Sequence, residues 1–542
     1  MSNPSPMRPA GPAGGSAKTA SCLRAELLAA VALSLWILLL HALFLFHAGP
    51  LWRDEVGTID FAGMPALSDI WHNLQYDNFP PLFVGVARVW TLAAGGGDFS
   101  CRLLGFFIGA GTLGVLWFGA RRCGAGAPLL ALALYAVNPL AVRVGDSMRP
   151  YGLGFILILL VLTLIWKFVE EPRARSWFWA TLAAVLSVHC LYQNAFFLAA
   201  FCLAGCAVTL ARRQWKTAAQ TVAIGVVSAL SLLPYSGNII KGRDWQGIHW
   251  HRAGLHEIGG ALVEALNTPG PWLVWFWAGL ALLAVATAVI LARRDRDWKA
   301  AYFAAALLAA VLFYGLFLER IGLQQRSWYF LILLAPVAVA IDVILAGLAA
   351  PAMRLGRAGL ALLLAALSIP ACYTAVQVRQ SNADLVAETL KRQAGPGDFI
   401  LVSPWQYGIA LQRYYTNGFA TLPPMEEIRI HRYDLLKKQM QAENPIGALL
   451  EQARQTLRSG HALWVVGDPP PPQPQPLLPP YRQDMALDVP SAYYISSWKT
   501  QLSQMIQSHA ASGFEVEMSI PGGAAINDLE DMLLLRFSGW KE

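Results

Sequence analysis

Charge is what this sequence has least of. Only 14% of its 542 residues are Asp, Glu, Lys or Arg, against roughly 25% in soluble globular chains. A cysteine framework is also missing. The seven cysteines all precede residue 380 and none has a CxxC spacing. This argues against a disulfide scaffold or a thiolate zinc site and leaves them as small apolar filler. What is present is apolar sequence: 56% hydrophobic residues and a mean hydropathy of +0.44, gathered into repeated runs near the length of a membrane span. That is the pattern of an α-helical polytopic membrane protein. The net charge of +7 is then no sign of nucleic-acid binding, because topology places the basic residues of such a chain.

Twelve apolar segments stand out, at 25–46, 79–94, 102–119, 127–144, 151–168, 177–191, 194–210, 217–235, 272–292, 300–318, 328–350 and 358–376. Residues 1–24 precede them as an expected disordered tail. The first run is too long for a signal-peptide core and is read as a retained anchor. Basic clusters at Arg121-Arg122, Lys167 to Arg175, Arg212-Arg213-Lys216, Arg293 to Lys299 and Arg354-Arg357 fall on alternate connections. The positive-inside rule makes these and the N-terminus cytoplasmic, provided one early segment does not cross. Segment 79–94 is short, opens with Pro80-Pro81 and carries Arg88, so it is expected to lie as an interfacial helix on the outer side. About 11 transmembrane helices remain within residues 25–380, and the outer loop 47–101 follows the first.

From 381 to 542 the composition turns soluble. NADLVAETLKRQAG has helical spacing and a Gly stop. DFILVS, HALWVVGD, FEVEMSI and DMLLLRFS read as strands, 491–513 as an amphipathic helix, and the proline-rich 469–480 as an extended loop. These predict a small α/β domain on the non-cytoplasmic side, covering the site or meeting the acceptor.

The polar residues gather on that side. LWRDEVGTID, just past the first span, carries Arg53, Asp54 and Glu55, and Asp60, His72, Asp77 and Asn78 follow in the same loop. The 145–151 turn supplies Asp146, Arg149 and Tyr151, the 236–257 loop Lys241, Arg243, His249 and His251, and the 319–329 turn Gln325, Arg326 and Tyr329. Carboxylates abstract protons from nucleophiles, and arginine forks hold phosphate oxygens. The set suits an anionic lipid-linked substrate. Plainer readings stand beside it: an Asp-Glu pair also caps a helix, Arg149-Pro150-Tyr151 is also a turn, and two histidines without a third ligand are solvated loop residues.

At these residues the sequence resembles the GT-C glycosyltransferases, in the group of protein O-mannosyltransferases and the lipid A aminoarabinose transferase. The resemblance rests on Asp54-Glu55 in WRDE, on Asn78-Phe79-Pro80-Pro81-Leu82, on the span 97–122, and on Arg149-Pro150-Tyr151. Many relatives have His where Phe79 stands. Arg326-Ser327-Trp328-Tyr329 resembles a late-span start in which relatives usually keep Arg and Tyr adjacent. The likeness covers residues 25 to about 380.

It implies a GT-C-like membrane enzyme of the cell envelope that moves a sugar from a polyprenyl-phosphate donor to an acceptor hydroxyl, with inversion at the anomeric carbon. Its expected place is the outer face of a bacterial inner membrane, N-terminus cytoplasmic and C-terminal domain periplasmic. The acceptor stays open among lipid, glycan and protein. Asp54 is the expected general base and Glu55 its support. Arg149, Tyr151, Lys241 or Arg243, Arg326 and Tyr329 are candidates for the donor phosphate. Asn78, Pro80 and Pro81 would shape the cavity. Two adjacent carboxylates also suit a divalent ion such as Mg²⁺ or Mn²⁺, without a full ligand set in the sequence. The rival readings are a flippase or transporter of a lipid-linked solute, whose charges would line mid-membrane, and a surface-polysaccharide polymerase or ligase. The topology is tested by reporter fusions: one after Gly97 is expected outside and one after Arg122 inside, and a cytoplasmic signal at Gly97 would overturn the assignment of sides.

Overall fold

A computed structural model describes residues 13–322, 324–348, 350–468 and 474–541. The chain is mainly helical, with one five-stranded sheet near its C-terminal end. The first helix runs Ala13–His47, so residues 13–24 extend the first span where a disordered tail was expected. Their alanines and lysine tolerate helix, and a nucleated helix propagates at little cost.

Among the described residues, nine helices are long and apolar enough to cross a membrane, two fewer than the expected eleven crossings. The two that differ are instructive. Segment 127–144 is broken: a helical turn at Leu129–Ala131 passes through a π turn at Leu132–Ala136, and helix resumes only at Pro139–Gly145. Proline cannot donate a backbone hydrogen bond and pushes the residue before it out of helical conformation. Asn138 repairs the break. Its side chain accepts from the Leu140 and Ala141 amides and donates to Ala265 O at 2.8 Å. The other segment is Ala174–Cys190, a helix of only 17 residues. The first packs inside the bundle, whereas Ala174–Cys190 lies at its surface with Phe178 and Trp179 exposed.

The Ser327–Ala346 span forms the bundle's axis, buried over 94% of its apolar stretch. A helix apolar on all sides can only sit there. Spans further out expose Leu28, Leu35, Leu282, Ile290 and Leu363, the belt a lipid environment requires. One ionic network crosses the interior. Arg357 bonds Glu26 at 3.0 Å and Asp342 at 2.9 Å, Arg354 adds a second bond to Glu26 at 2.9 Å, and Asp342 accepts from the Leu130 amide at 3.1 Å. Asp342 thus holds the fold together.

Helix Leu82–Ala94 has 13 residues, about 20 Å, too short to cross a bilayer of roughly 30 Å. It packs against the helix Arg53–Ala62. At the opposite end of the bundle Lys299 donates to Cys123 O at 3.0 Å and Arg212 to Val169 O at 3.0 Å, so four basic connections are joined there in two pairs.

In the C-terminal sheet the order is β2-β1-β3-β5-β4. β1 (Phe399–Ser403) runs parallel to β2 (Ala420–Thr421) and β3 (Leu463–Gly467), and β5 (Leu533–Trp540) is antiparallel to β3 and to β4 (Ala510–Glu515). The expected FEVEMSI strand is largely corrected. β4 begins at Ala510, directly after the helix Pro490–His509. Past Val516 no partner remains, because β5 starts at Leu533. Gly513 lies under the Phe537 ring, where a Cβ would meet it at 2.4 Å. Of the proline-rich loop, 469–473 lie outside the described residues, and 474–480 are extended without regular structure.

Replacing Arg357 by Met is expected to destabilise the fold by about 3 kcal/mol or more, because it strips a buried carboxylate, Asp342, of its cation. Thermal unfolding in detergent checks this, and an unchanged midpoint would mean the network contributes no stability.

Candidate functional site

The site begins with Glu55. Its side chain is fully buried. It accepts from Arg102 Nη1 at 2.5 Å, from the Met148 amide at 2.9 Å and from the Trp52 amide at 3.2 Å. Arg102 donates in turn to Pro50 O at 2.9 Å. These bonds tie the start of the Arg53–Ala62 helix to the 98–122 span and to the 147–151 turn. Close approach of the turn needs Gly105, where a Cβ would fall 1.9 Å from Asp146 O. With Glu55 turned inward, Asp54 in the same helical turn points the other way.

That direction is a cavity of about 570 Å³. Asp54, 29% exposed, lies on its wall with Arg149, Tyr151, Arg326 and Tyr329. Two further cavities, of about 90 and 480 Å³, are also lined by both Asp54 and Arg149. The pair thus stands where three spaces meet. Arg149 is held from behind: Nη1 donates to Thr58 Oγ1 at 2.9 Å and to Asp54 O at 3.3 Å, and its guanidinium lies 4.7 Å from the Phe79 ring centre. Phe79 thus supplies a cation–π face. Arg149 Nη2 is 4.0 Å from Asp54 Oδ2.

The remaining candidates divide. Asn78 lines the cavity, while Pro81 lies on a separate groove and Pro80 is buried at the entry to the Leu82–Ala94 helix. Lys241 and Arg243 are exposed; their helix faces the cavity with Asn238, Ile239 and Gly242 instead. His251 bonds Glu257 at 2.6 Å and Asp488 at 2.8 Å, and His249 pairs with Ser491 at 2.9 Å. Among the described residues no three His, Cys, Asp or Glu side chains gather as metal ligands, and Glu55 is committed to Arg102. The donor set does not fit a divalent ion.

The C-terminal domain closes the cavity with Gln406, His431, Tyr433 and Leu529. His431 Nε2 lies 3.4 Å from Asp54 Oδ1. Arg53 donates to Leu529 O at 3.1 Å, approaches Glu530 Oε1 at 3.1 Å and stacks on Tyr407. Arg413 and Tyr414 both bond Asp98, at 2.9 and 2.8 Å. A single apolar core runs from Val56 and Phe83 into Trp405 and Leu463. None of these C-terminal residues was among the sequence candidates. The one signal was the polar cluster HRYD at 431–434, which matches no motif.

The electrostatics separate neighbouring groups. Burial would raise the Asp54 carboxyl, but Arg149, a hydrogen bond and charge from His431, and Arg53 outweigh it and hold it well below the usual carboxylate range. Asp77, across the same cavity, is raised by burial despite Arg149 and His431. Burial, against the pull of Arg53, pushes Glu530 up to about 8.

With this geometry in place, comparison with known proteins adds the following. A family described as "Predicted membrane protein (DUF2142)" matches residues 62–261. No curated protein matches the sequence. The chain is similar to ArnT from Cupriavidus metallidurans, solved with undecaprenyl phosphate, and to an oligosaccharyltransferase from Archaeoglobus fulgidus. The first has 16% identity and a TM-score of 0.48 over 81% of this chain and 92% of that one. The second, tethered to an acceptor peptide, has 12% identity and a TM-score of 0.48 over 90% and 73%.

The raised Glu530 carboxyl makes a testable pH dependence. Folded, it keeps its proton to about pH 8; the ordinary value is 4.5. The folded state therefore holds an extra proton between these values, and stability falls as pH rises through that window. Glu530→Gln, which does not titrate, should escape this slope, so its unfolding midpoint relative to wild type should climb from pH 5 to pH 8. A flat difference would show Glu530 ionised throughout.

Proposed function

We propose that this protein is a membrane glycosyltransferase that moves a sugar from a polyprenyl-phosphate donor to an acceptor hydroxyl, with inversion, at the outer face of a bacterial inner membrane. The observation that carries the reading is the Asp54–Arg149 pair at the meeting of three cavities, beside an ionised carboxylate's natural counter-charge for phosphate. A fourth, mostly apolar groove of about 790 Å³ runs outside along Leu82, Val86 and Trp90. Its apolar lining suits a polyprenyl chain lying along the outside of the bundle. The polar groups cluster at one end of the bundle, and the charged residues inside it, Glu26, Asp342 and Arg357, are paired with one another. A transport pathway would place charges on an open route instead.

In this reading, Arg149 and Arg326 take the donor phosphate and neutralise charge on the leaving oxygen. Tyr151 and Tyr329 wall the sugar end of the cavity. Asp54 receives the acceptor hydroxyl's proton as that oxygen attacks the anomeric carbon. Glu55 positions Asp54 through Arg102 and does not meet substrate.

Undecaprenyl phosphate is the first carrier to test. Asp54→Asn preserves shape but is a far weaker proton acceptor, and should lower turnover by at least about 100-fold with folding and donor binding intact. Glu55→Gln should instead lower thermal stability, since it leaves Arg102 buried beside a neutral partner. Normal turnover in Asp54→Asn would remove the base from the reading, and a selective turnover loss in Glu55→Gln at unchanged stability would exchange the two roles.

A further inference from the structure

We propose that His431 is the proton acceptor that works through Asp54: the hydroxyl proton passes to the Asp54 carboxylate and on to the His431 imidazole. This rests on the transferase reading and adds to it a residue from the C-terminal domain.

The geometry is direct. His431 Nε2 lies 3.4 Å from Asp54 Oδ1, and both side chains border the main cavity and the 90 Å³ pocket beside it. The imidazole packs beside the Trp405 and Tyr433 rings, at 6.3 and 5.8 Å between centroids, and its other edge lies over Gly57. Charged and titratable groups surround the pair from every side. Arg53 shares its helix, Tyr76 and Asp77 come from the following loop, and Arg149 from the 147–151 turn. Arg429, Arg432 and Tyr433 come from the C-terminal domain, and His249 from the 247–249 turn. His249 is a poor relay. Its Nδ1 is engaged by Ser491 at 2.9 Å, and burial with the neighbouring His431 lowers it to about 4.

The chemistry follows from the two partners' unequal basicity. A carboxylate held down by Arg149, His431 and Arg53 is by itself a weak base, so a partner that draws the proton onward makes its removal from the hydroxyl more effective. In the step, the acceptor O–H bond breaks and its electron pair forms the new bond to the anomeric carbon. The bond from that carbon to the phosphate oxygen breaks, and its pair leaves on the phosphate. The proton moves to Asp54 and then to His431 Nε2, leaving an imidazolium beside a regenerated carboxylate. Solvent takes the proton after product release.

The test combines a variant with a wild-type measurement. Wild-type kcat should fall toward low pH. His431→Gln should lose that acid limb together with on the order of 100-fold in kcat, with undecaprenyl-phosphate binding unchanged. An acid limb that persists in His431→Gln overturns the relay. A proton inventory needs no variant: kcat against D₂O fraction should curve, with two protons in flight. A straight line at intact sugar transfer overturns the relay alone, whether or not His431→Gln folds. A wild-type chain that transfers no sugar from any polyprenyl-phosphate donor overturns the transferase reading first, and the relay with it.

Discussion

The Glu55–Arg102 ion pair is the constraint on which the rest of the site depends. It is buried at both ends, and a buried charge without its partner is strongly destabilising. The pair therefore locks the beginning of the Arg53–Ala62 helix to the second long span. The Met148 amide on the same carboxylate brings in the 147–151 turn, and with it Arg149. One side chain thus sets the distance between Asp54 and Arg149, although it lines none of the three cavities. Two adjacent carboxylates at a helix start face in different directions, and here one serves the fold and the other the cavity.

Around Asp54 the charges are balanced unevenly. Arg149, Arg53 and His431 lie close to one carboxylate, while Asp77 and Glu530, deeper in less compensated surroundings, are raised. Neighbouring acids pushed in opposite directions are a common arrangement where proton transfer and charge neutralisation share a cavity. The C-terminal domain is part of this balance. It supplies His431 and Glu530, and its apolar core is continuous with that of the outer loop. Its residues Gln406, His431, Tyr433 and Leu529 line the cavity, so the domain is packed onto the site and is not an independent appendage.

Much of the architecture was legible in the sequence because lipid imposes a strong rule. Each long apolar run must satisfy its own backbone as helix, so composition and run length placed most spans. Pro80-Pro81 and Arg88 marked the short helix that does not cross. The break at Asn138-Pro139 was written in the sequence as well, but hydropathy averages over it. In the soluble part, buried strands such as FILVS and LWVVG were readable, whereas the edge strand β4 was not. Its Ala-Ala-Ser-Gly start carries little strand propensity, and only pairing with β5 makes it one.

The sequence by itself determined a helical membrane protein, the end at which its polar loops gather, and the candidates Asp54, Arg149 and Arg326. Local composition decides these, because membrane insertion and helix formation depend on neighbouring residues. Tertiary structure alone decided that Glu55 turns to Arg102, that Lys241 and Arg243 face away from the cavity, and that His431 lies against Asp54. His431 is contributed from 377 positions along the chain (431 − 54), and no local pattern carries that contact. It exists because a shared apolar core, the Arg413–Asp98 pair and the Arg53–Leu529 hydrogen bond seat the C-terminal domain on the 47–101 loop.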